Sequence, residues 1–206
     1  YAGAHVHICH VASKGAIDII RQAKKKGINV TSEVTVHHLT LTDEACSNYS
    51  SATRVSPPLR SWDHVQAMRE AVLDGTVDCI VTDHAPHAPE EKDVEFRYAP
   101  CGFCGLETSL GVMLTDLYHT GIFDLKTIIS KMSCEPAKVF HLPGGTLKEG
   151  SVADITIMDL NKEWTVDSSK FYTRGKFTPY EGKACKGKAV ATMLHGKFVM
   201  RDGVVC

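Results

Sequence analysis

One carboxylate and two imidazoles lie within five residues in the segment Thr82-Asp83-His84-Ala85-Pro86-His87. The segment directly follows Val77 to Val81, a short run rich in β-branched residues that predicts a buried strand of a parallel sheet. The carboxyl end of a barrel strand is where (β/α)8 enzymes place their reactive groups. Aspartate and histidine are also ligands of zinc and similar divalent ions. The simpler interpretation is a polar turn with a capping Asp83 and two solvated histidines.

Two β-α-β passages are needed to position this segment. The predicted elements, in chain order, are a strand from Ala4 to Val11, a helix from Ser13 to Lys26, a strand from Ile28 to Thr35, a helix from Trp62 to Leu73 and the strand from Val77 to Val81. Such units favour a parallel sheet with right-handed crossovers. We therefore expect His10, the region from Glu33 to His38, and Asp83 to lie at one rim of the sheet.

His10 and Asp83 together predict a metal site. A divalent ion there would polarise a carbonyl group and lower the pKa of bound water, and the carboxylate could transfer protons. Two ligands are fewer than the three or so protein ligands that a hydrolytic zinc needs. The remaining ligands must come from residues outside this chain, or the site is not functional within it.

Beyond the Asp83 segment, the sequence predicts a loop and a helix and then, after Pro143, a series of strands. Ala88 to Tyr98 is charged and predicts a loop, whereas Leu106 to Tyr118 predicts a strong helix. After Pro143 we expect short alternating strands, with a hairpin turn at His195-Gly196. The sequence thus predicts an α/β domain over residues 1–142 and a small β domain over residues 143–206.

Net charge, apolar runs and cysteine usage limit the classes of protein and of partner that fit this chain. The chain has 206 residues and a formal charge of -1, so it gives no support to nucleic acid or an anionic membrane as a partner. No apolar run approaches the roughly 20 residues needed to span a bilayer. The eight cysteines are scattered, which favours reduced thiols and a cytoplasmic protein. The chain lacks an initiator Met and opens directly into a predicted strand, so we expect that an N-terminal part is missing.

Five ordered motifs resemble the dihydroorotase family of the amidohydrolase superfamily. They are His7-Ile8-Cys9-His10-Val11-Ala12-Ser13, Ser32-Glu33-Val34-Thr35-Val36-His37-His38-Leu39, Ser56-Pro57-Pro58-Leu59-Arg60, Thr82-Asp83-His84-Ala85-Pro86-His87 and Gly105-Leu106-Glu107-Thr108. Thr178-Pro179-Tyr180-Glu181-Gly182, Gly187-Lys188 and the last hairpin also match, so the resemblance covers the whole chain.

This resemblance implies the fold and activity of a complete enzyme. The chain would be the C-terminal part of a metal-dependent (β/α)8 TIM barrel, supplying its strands six to eight, together with the C-terminal part of a small β-sandwich-like domain. The implied activity is zinc-dependent hydrolysis of the cyclic amide of dihydroorotate to N-carbamoyl-L-aspartate, and the reverse cyclisation, in pyrimidine biosynthesis. The implied partner is this small-molecule substrate, and the enzyme would be a cytoplasmic homo-oligomer.

The resemblance also implies roles for individual residues. His10 would bind one ion of a binuclear zinc pair, and Asp83 would bind the other and act as general base, then as general acid. His87 would contact the substrate, as would Ser56 and the backbone around Cys101 and Gly102. Cys9 and Glu33 match positions that some family members use for an extra zinc. The alternative for that pair is a packed strand thiol and a rim carboxylate.

Ser56 departs from the pattern of the family. Bacterial dihydroorotases of this type often carry Asn before Pro-Pro-Leu-Arg, whereas hydantoinase and dihydropyrimidinase relatives carry Ser, which is shorter and reaches less far. A hydantoinase, dihydropyrimidinase or allantoinase is therefore an alternative, as is a catalytically silent dihydroorotase-like subunit. Because half a barrel leaves strand edges exposed, we expect residues 1–206 alone to bind zinc weakly or not at all and to be inactive.

Overall fold

A three-stranded parallel sheet organises the first of two compact units. The computed structural model describes residues 3–206, and this first unit comprises the described residues up to Ser109 together with Val166–Lys183. Its strands are β1 (Val6–Ile8), β2 (Val30–Thr35) and β3 (Cys79–Val81), in the order β1-β2-β3. The register pairs His7 with Thr31 and Glu33 with Cys79. The predicted β-α-β passages and parallel sheet are confirmed.

Within the described residues, the first unit also contains four α-helices. They are α1 (Lys14–Lys25), α2 (Val36–Thr40), α3 (Trp62–Leu73) and α4 (Pro89–Lys92). Helix α1 begins where the Ser13 side chain accepts a hydrogen bond from the Ala16 N–H, and two lysines in its last turn favour the helix dipole. Ile17 of α1, Val34 of β2 and Met68 of α3 are fully buried. This apolar packing fixes the strands whose ends carry the polar residues.

Two short helices were not predicted from the sequence. Helix α2 begins where the Thr35 side chain accepts from the His38 N–H, and α4 begins with Pro89 after the Ala88 N–H donates to Glu91. These caps are local polar contacts that leave no hydrophobic period in the sequence. The strands are also shorter than predicted, because β1 is hydrogen-bonded along only three residues of β2.

The second unit comprises Leu110–Thr165 and Ala184–Cys206. Its helical part contains α5 (Ser109–Met113), a π-helical turn (Leu114–Tyr118), α6 (Leu125–Ile129), a second π-helical turn (Ser130–Cys134) and α7 (Glu135–Val139). An antiparallel sheet follows, with strands β4 (Ile155–Thr165), β5 (Ala184–Leu194), β6 (Lys197–Arg201) and β7 (Val204–Val205) in that order. His195 and Gly196 form the predicted hairpin turn, and both have the positive φ that such a turn requires.

Trp164 holds the helical part of this unit to its sheet. The Trp164 indole donates to the Gly187 carbonyl at 3.0 Å, and a Cβ on Gly111 would lie 2.4 Å from the same ring. Glycine is therefore needed at position 111 for the backbone to approach the indole. The first strand after Pro143, β4, is longer than the short strands expected there, because an irregularity between Asp159 and Glu163 interrupts its pairing without ending it.

The two compact units are not continuous in sequence. Residues 166–183 belong to the first unit, where the Cys104 N–H donates to the Phe177 carbonyl and the Thr40 and Tyr180 hydroxyls are 2.9 Å apart. The division into a barrel part and a small β domain concerns the complete fold and stays a prediction. Across residues 3–206, no helix combines the length and apolarity needed to cross a membrane.

Candidate active site

His10 and Asp83 each lie two residues beyond the end of a strand, β1 and β3, which are the two outer strands of the parallel sheet. Both have left-handed backbone conformations, with φ of 38° for His10 and 49° for Asp83. Such conformations are uncommon for residues other than glycine and cluster at functional sites, where the surrounding fold maintains them. The two predicted metal ligands thus share an unusual backbone geometry at the carboxyl ends of their strands.

Asp83 is half-buried, and groups from the other two strand regions shift the pKa of its carboxyl group. Burial raises the pKa of its carboxyl group, the electrostatic interaction with His10 lowers that pKa, and the interaction with Glu33 raises it. These couplings connect one residue from each of the three strand regions. They agree with the prediction that His10, Glu33 and Asp83 lie at one rim of the sheet.

Glu33 joins β1 to β2 on the polar face of the sheet. Its Oε2 lies 3.0 Å from Nε2 of His7, and its Oε1 accepts a hydrogen bond from the His10 N–H at 3.3 Å. The other ring nitrogen of His7 lies 2.8 Å from the Thr31 hydroxyl. One carboxylate therefore holds both the His7 side chain and the backbone that places His10.

His7, Cys9 and Glu33 form a cluster of candidate metal ligands. Their imidazole, thiol and carboxylate ligand atoms all lie within 4.8 Å of one another. This set of nitrogen, sulfur and oxygen donors fits zinc. Burial and the Glu33 carboxylate raise the pKa of the Cys9 thiol, so a cation bound between them would have to displace its proton.

Sequence reasoning had identified Cys9 and Glu33 but not His7. The available signal was spacing, because residues two apart on a strand point to the same face and His7 stands two before Cys9. That spacing alone does not identify His7 as a ligand, because its contact with Glu33 depends on the register between β1 and β2.

His37 and His38 are buried directly after β2. His38 Nε2 donates to the Pro57 carbonyl at 3.2 Å and its Nδ1 accepts from the Thr35 hydroxyl at 2.8 Å, which assigns the neutral Nε2–H tautomer. Burial lowers the pKa of His38 to about 4, against the opposing effect of these carbonyls. Within residues 3–206, neither ring nitrogen of His37 has a hydrogen-bond partner. His38 thus fixes the segment that follows Ser56, as expected of a structural histidine.

The four predicted substrate-contacting residues are gathered in one region of the first unit. Ser56 and Cys101 line the same cavity of about 370 Å³, together with Arg54 and other residues. His87 Nε2 lies 3.0 Å from the Cys101 carbonyl, and the Gly102 N–H donates to the Arg54 carbonyl at 2.8 Å. Contacts between distant parts of the chain therefore bring Ser56, His87, Cys101 and Gly102 together.

The backbone at Gly102 has no room for a side chain. Its φ is +119°, and a Cβ at this position would lie 2.4 Å from the Cβ of Ala85. Glycine is therefore required for close approach to the strand-end segment that begins at Asp83.

Relatives of this chain are known from sequence. Its residues 1–199 match the Amidohydrolase family. The chain is 50% identical over 202 residues to the dihydroorotase of Syntrophus aciditrophicus (strain SB) and 47% identical over 203 residues to that of Pelotomaculum thermopropionicum. These matches cover 98% of this chain but only 47% and 48% of the two relatives. The chain thus spans about half the length of the curated relatives it matches.

Solved structures also match the fold of this chain along almost its whole length. The L-hydantoinase (dihydropyrimidinase) from Arthrobacter aurescens matches with a TM-score of 0.94 at 32% identity, over 100% of this chain and 47% of that one. The dihydropyrimidinase from Brevibacillus agri NCHU1002 matches with a TM-score of 0.92 at 25% identity, over 99% of this chain and 46% of that one. Since the family match extends over nearly all of the sequence, the chain belongs to the amidohydrolase family.

Proposed function

We propose that this chain is the C-terminal half of a dihydroorotase, which interconverts dihydroorotate and N-carbamoyl-L-aspartate in pyrimidine biosynthesis. The observation that carries the proposal is the similarity of 45–50% identity to dihydroorotases along essentially the whole chain. The hydantoinase structures are less similar in sequence, at 24–32% identity. The coupled strand ends at His10 and Asp83 supply the chemistry that such a reaction requires.

We further propose that His10 and Asp83 hold zinc, one ion each of a binuclear pair whose other ligands lie outside this chain. Zinc, when bound, would polarise the amide carbonyl of the substrate and lower the pKa of the attacking water. The fit rests on the imidazole and carboxylate donors at the two strand ends. The cluster of His7, Cys9 and Glu33 is a candidate for an additional ion.

Residues of this chain transfer the proton, bind the substrate and orient His10. Asp83 takes the proton from the attacking water and passes it to the leaving ring nitrogen, acting as general base and then as general acid. Ser56 and His87 bind the substrate, and the backbone around Cys101 and Gly102 contacts its ring. Glu33 orients His10 through the hydrogen bond to the His10 N–H. Partial burial raises the pKa of the Asp83 carboxyl group, which favours its uptake of the proton.

The complete protein tests this function directly. We expect the purified, zinc-loaded protein to hydrolyse dihydroorotate and to cyclise N-carbamoyl-L-aspartate, with hydantoin and dihydrouracil turned over at least about 100-fold less efficiently in kcat/KM. The comparison of the same enzyme on three cyclic amides controls for metal content. Cleavage of hydantoin with no turnover of dihydroorotate would contradict the proposal.

A cyclic amidohydrolase of hydantoinase, dihydropyrimidinase or allantoinase type is the second candidate, and Ser56 favours it. Ser56 is exposed in the cavity that also contains Cys101. A Ser56→Asn variant distinguishes the two, because Asn restores the residue often found in dihydroorotases. We expect this variant to lower KM for dihydroorotate. A gain confined to hydantoin would favour the second candidate.

A catalytically silent subunit is a further alternative, which the retained His10 and Asp83 oppose. It makes a prediction about the rest of the protein, namely that no His-x-His motif follows the first barrel strand. For residues 1–206 alone we expect no turnover and weak zinc binding at His10 and Asp83. Tight, stoichiometric zinc at those two residues in the purified piece would overturn this expectation.

The complete protein has a fold and a setting that follow from the same proposal. It would form a (β/α)8 barrel, with residues 1–142 supplying strands six to eight and residues 143–206 completing a small β domain. It would be a homo-oligomer in the cytoplasm, acting on a small molecule without nucleic acid as a partner. The scattered cysteines, three of them buried as free thiols, support a reducing compartment.

A further inference from the structure

Lys92 is an unusual residue because its side chain is buried and forms no ion pair with any of residues 3–206. Only 1% of the residue is exposed, and it is among the largest of the fully buried side chains in the part of the chain that the structure describes. Buried lysines are rare unless they are paired. The Lys92 Nζ donates instead to two backbone carbonyls, that of Pro100 at 3.0 Å and that of Gly102 at 2.8 Å.

The backbone of Lys92 is itself fixed. It is the last residue of α4, whose first turn is closed by Pro89 and by the hydrogen bond from the Ala88 N–H to Glu91. The Lys92 carbonyl accepts from the buried Ser51 hydroxyl at 2.6 Å. The ammonium group is therefore presented from a rigid base rather than from a mobile loop.

Lys92 acts on a segment whose carbonyls are all engaged. The four successive carbonyls of Pro100, Cys101, Gly102 and Phe103 bond to Lys92 Nζ, His87 Nε2, Lys92 Nζ and the Ala85 N–H, respectively. Two of the four depend on one ammonium group. Since each carbonyl fixes the orientation of its peptide plane, Lys92 sets the direction of the peptide groups on both sides of Cys101.

We propose that Lys92 is a positioning residue, which holds the Pro100–Phe103 segment in the conformation that contacts the substrate ring. This proposal rests on the proposed function, because that function makes the backbone around Cys101 and Gly102 a substrate contact. Lys92 touches no reacting atom and acts through this backbone. A lysine suits the task because an ammonium group carries three donors and can serve two carbonyls at once.

Removing the ammonium leaves two buried carbonyls without a donor. The free energy of the segment is then lower when these carbonyls turn toward water and accept hydrogen bonds there. This movement takes the peptide groups away from the substrate. Because the contact binds the ring in both the ground state and the transition state, its loss acts mainly on KM. Burial lowers the pKa of Lys92, and this agrees with an ammonium group held by neutral carbonyls rather than by a carboxylate.

The test compares two Lys92 variants of the complete zinc-loaded protein. Lys92→Met keeps the apolar stem and removes every donor, and we expect KM for dihydroorotate to rise at least about 10-fold while kcat changes less than about 3-fold. Lys92→Arg restores donors and charge, and we expect KM within about 3-fold of the wild type. The matched control is Lys138→Met, the same substitution at an exposed lysine paired with Glu135, which we expect to leave both constants unchanged.

Each outcome decides the proposal. A folded Lys92→Met protein with KM within 2-fold of the wild type overturns it, as does a loss confined to kcat. If Lys92→Met fails to fold by circular dichroism, the folded Lys92→Arg protein decides, and a KM raised more than about 10-fold contradicts the proposal.

Hydrogen exchange separates this proposal from the proposed function. In Lys92→Met we expect faster exchange of the amides of residues 101–104, with the core strand β2 unchanged. This readout does not depend on which substrate is turned over. Faster exchange with no dihydroorotase activity in the wild type would contradict the proposed function but support the positioning of the Pro100–Phe103 segment by Lys92. Unchanged exchange would contradict that role of Lys92.

Discussion

Glu33 and Val34 are neighbours on β2 and face opposite environments. Glu33 points to the polar face, which we define by His7, Cys9, Thr31 and Glu33, and its carboxylate contacts the His7 side chain and the His10 backbone. Val34 points to the covered face, defined by Ser32 and Val34, and is fully buried. Successive side chains of a strand alternate between faces, so one strand can serve both purposes.

The contrast teaches that stability and chemistry are separated by side-chain direction rather than by position along the chain. The covered face gains from apolar burial and from close packing. Desolvation of the groups on the polar face is unfavourable, and these groups form hydrogen bonds with one another. Substitutions on the two faces should therefore change different measured quantities.

The largest effect is expected at Asp83, at the rim where the polar face ends. Asp83→Asn keeps the shape of the side chain but removes the charge and the proton acceptor. We expect kcat for dihydroorotate to fall by about 10³-fold or more. The unfolding midpoint should change little, because a half-buried carboxylate whose pKa is raised by burial contributes little to stability. Steady-state kinetics and thermal unfolding of the complete protein check both parts, and retained turnover would contradict the assignment.

The next effect concerns pH and the buried histidines after β2. The folded-state pKa of His38 is about 4, below the unfolded value of about 6.5. Its contribution to stability is fully present above about pH 6.5 and is lost as the pH falls toward about 4. We expect the wild type to lose about 2–3 kcal/mol more unfolding free energy between pH 7 and pH 4 than His38→Gln does. Urea titrations of both proteins at several pH values measure this difference, and parallel curves would exclude His38 as the source.

A smaller effect is expected on the covered face. Val34→Ala removes two methyl groups from a fully buried position, and we expect the free energy of unfolding to fall by about 2 kcal/mol. Turnover at a temperature where the variant is folded should stay within about 2-fold of the wild type. Denaturant unfolding and kinetics on the same sample check this pair of results. A large loss of activity without loss of stability would break the contrast between the faces.

The smallest change in stability is expected for the adjacent Glu33→Gln. Glutamine keeps an acceptor for the His10 N–H, and His7 can bond it through the other tautomer, so we expect a change below about 1 kcal/mol. Zinc bound at the cluster of His7, Cys9 and Glu33 should weaken at least about 10-fold, since a charged ligand is lost. Competition with a chromophoric chelator measures this affinity. Unchanged affinity would assign any additional zinc to other residues.

Sequence periodicity and motif order predicted the parallel sheet, the bounds of α3 and the residues at the strand ends. Those features come from local patterns, such as the β-branched run before Asp83 and the apolar spacing of α3. The sequence did not predict α2 or α4, because their caps are local polar contacts that leave no hydrophobic period. It did not predict the role of Lys92, because that role depends on contacts with a separate segment. A buried lysine cannot be distinguished from an exposed one by composition, since the carbonyls of Pro100 and Gly102 that hold it come from a separate segment.

The role of His7 could be predicted only in part from the sequence. Its spacing from Cys9 is visible in the sequence, but its contact with Glu33 depends on the register between β1 and β2. A shift of one residue would turn Glu33 to the covered face. In the observed register Ser32 and Val34 are fully buried on the covered face, so the packing of that face and the contact between Glu33 and His7 depend on the same register.

The most direct test of the account is the zinc content of the complete protein and its His10→Ala variant, measured by mass spectrometry of the metal after dialysis. The central claim is that the rim formed by His10 and Asp83 holds part of a binuclear zinc pair. We expect the variant to lose at least one equivalent of zinc per chain relative to the wild type, with an unchanged circular dichroism spectrum. Equal zinc in both proteins, with both folded, would contradict the claim that the end of β1 is a metal site.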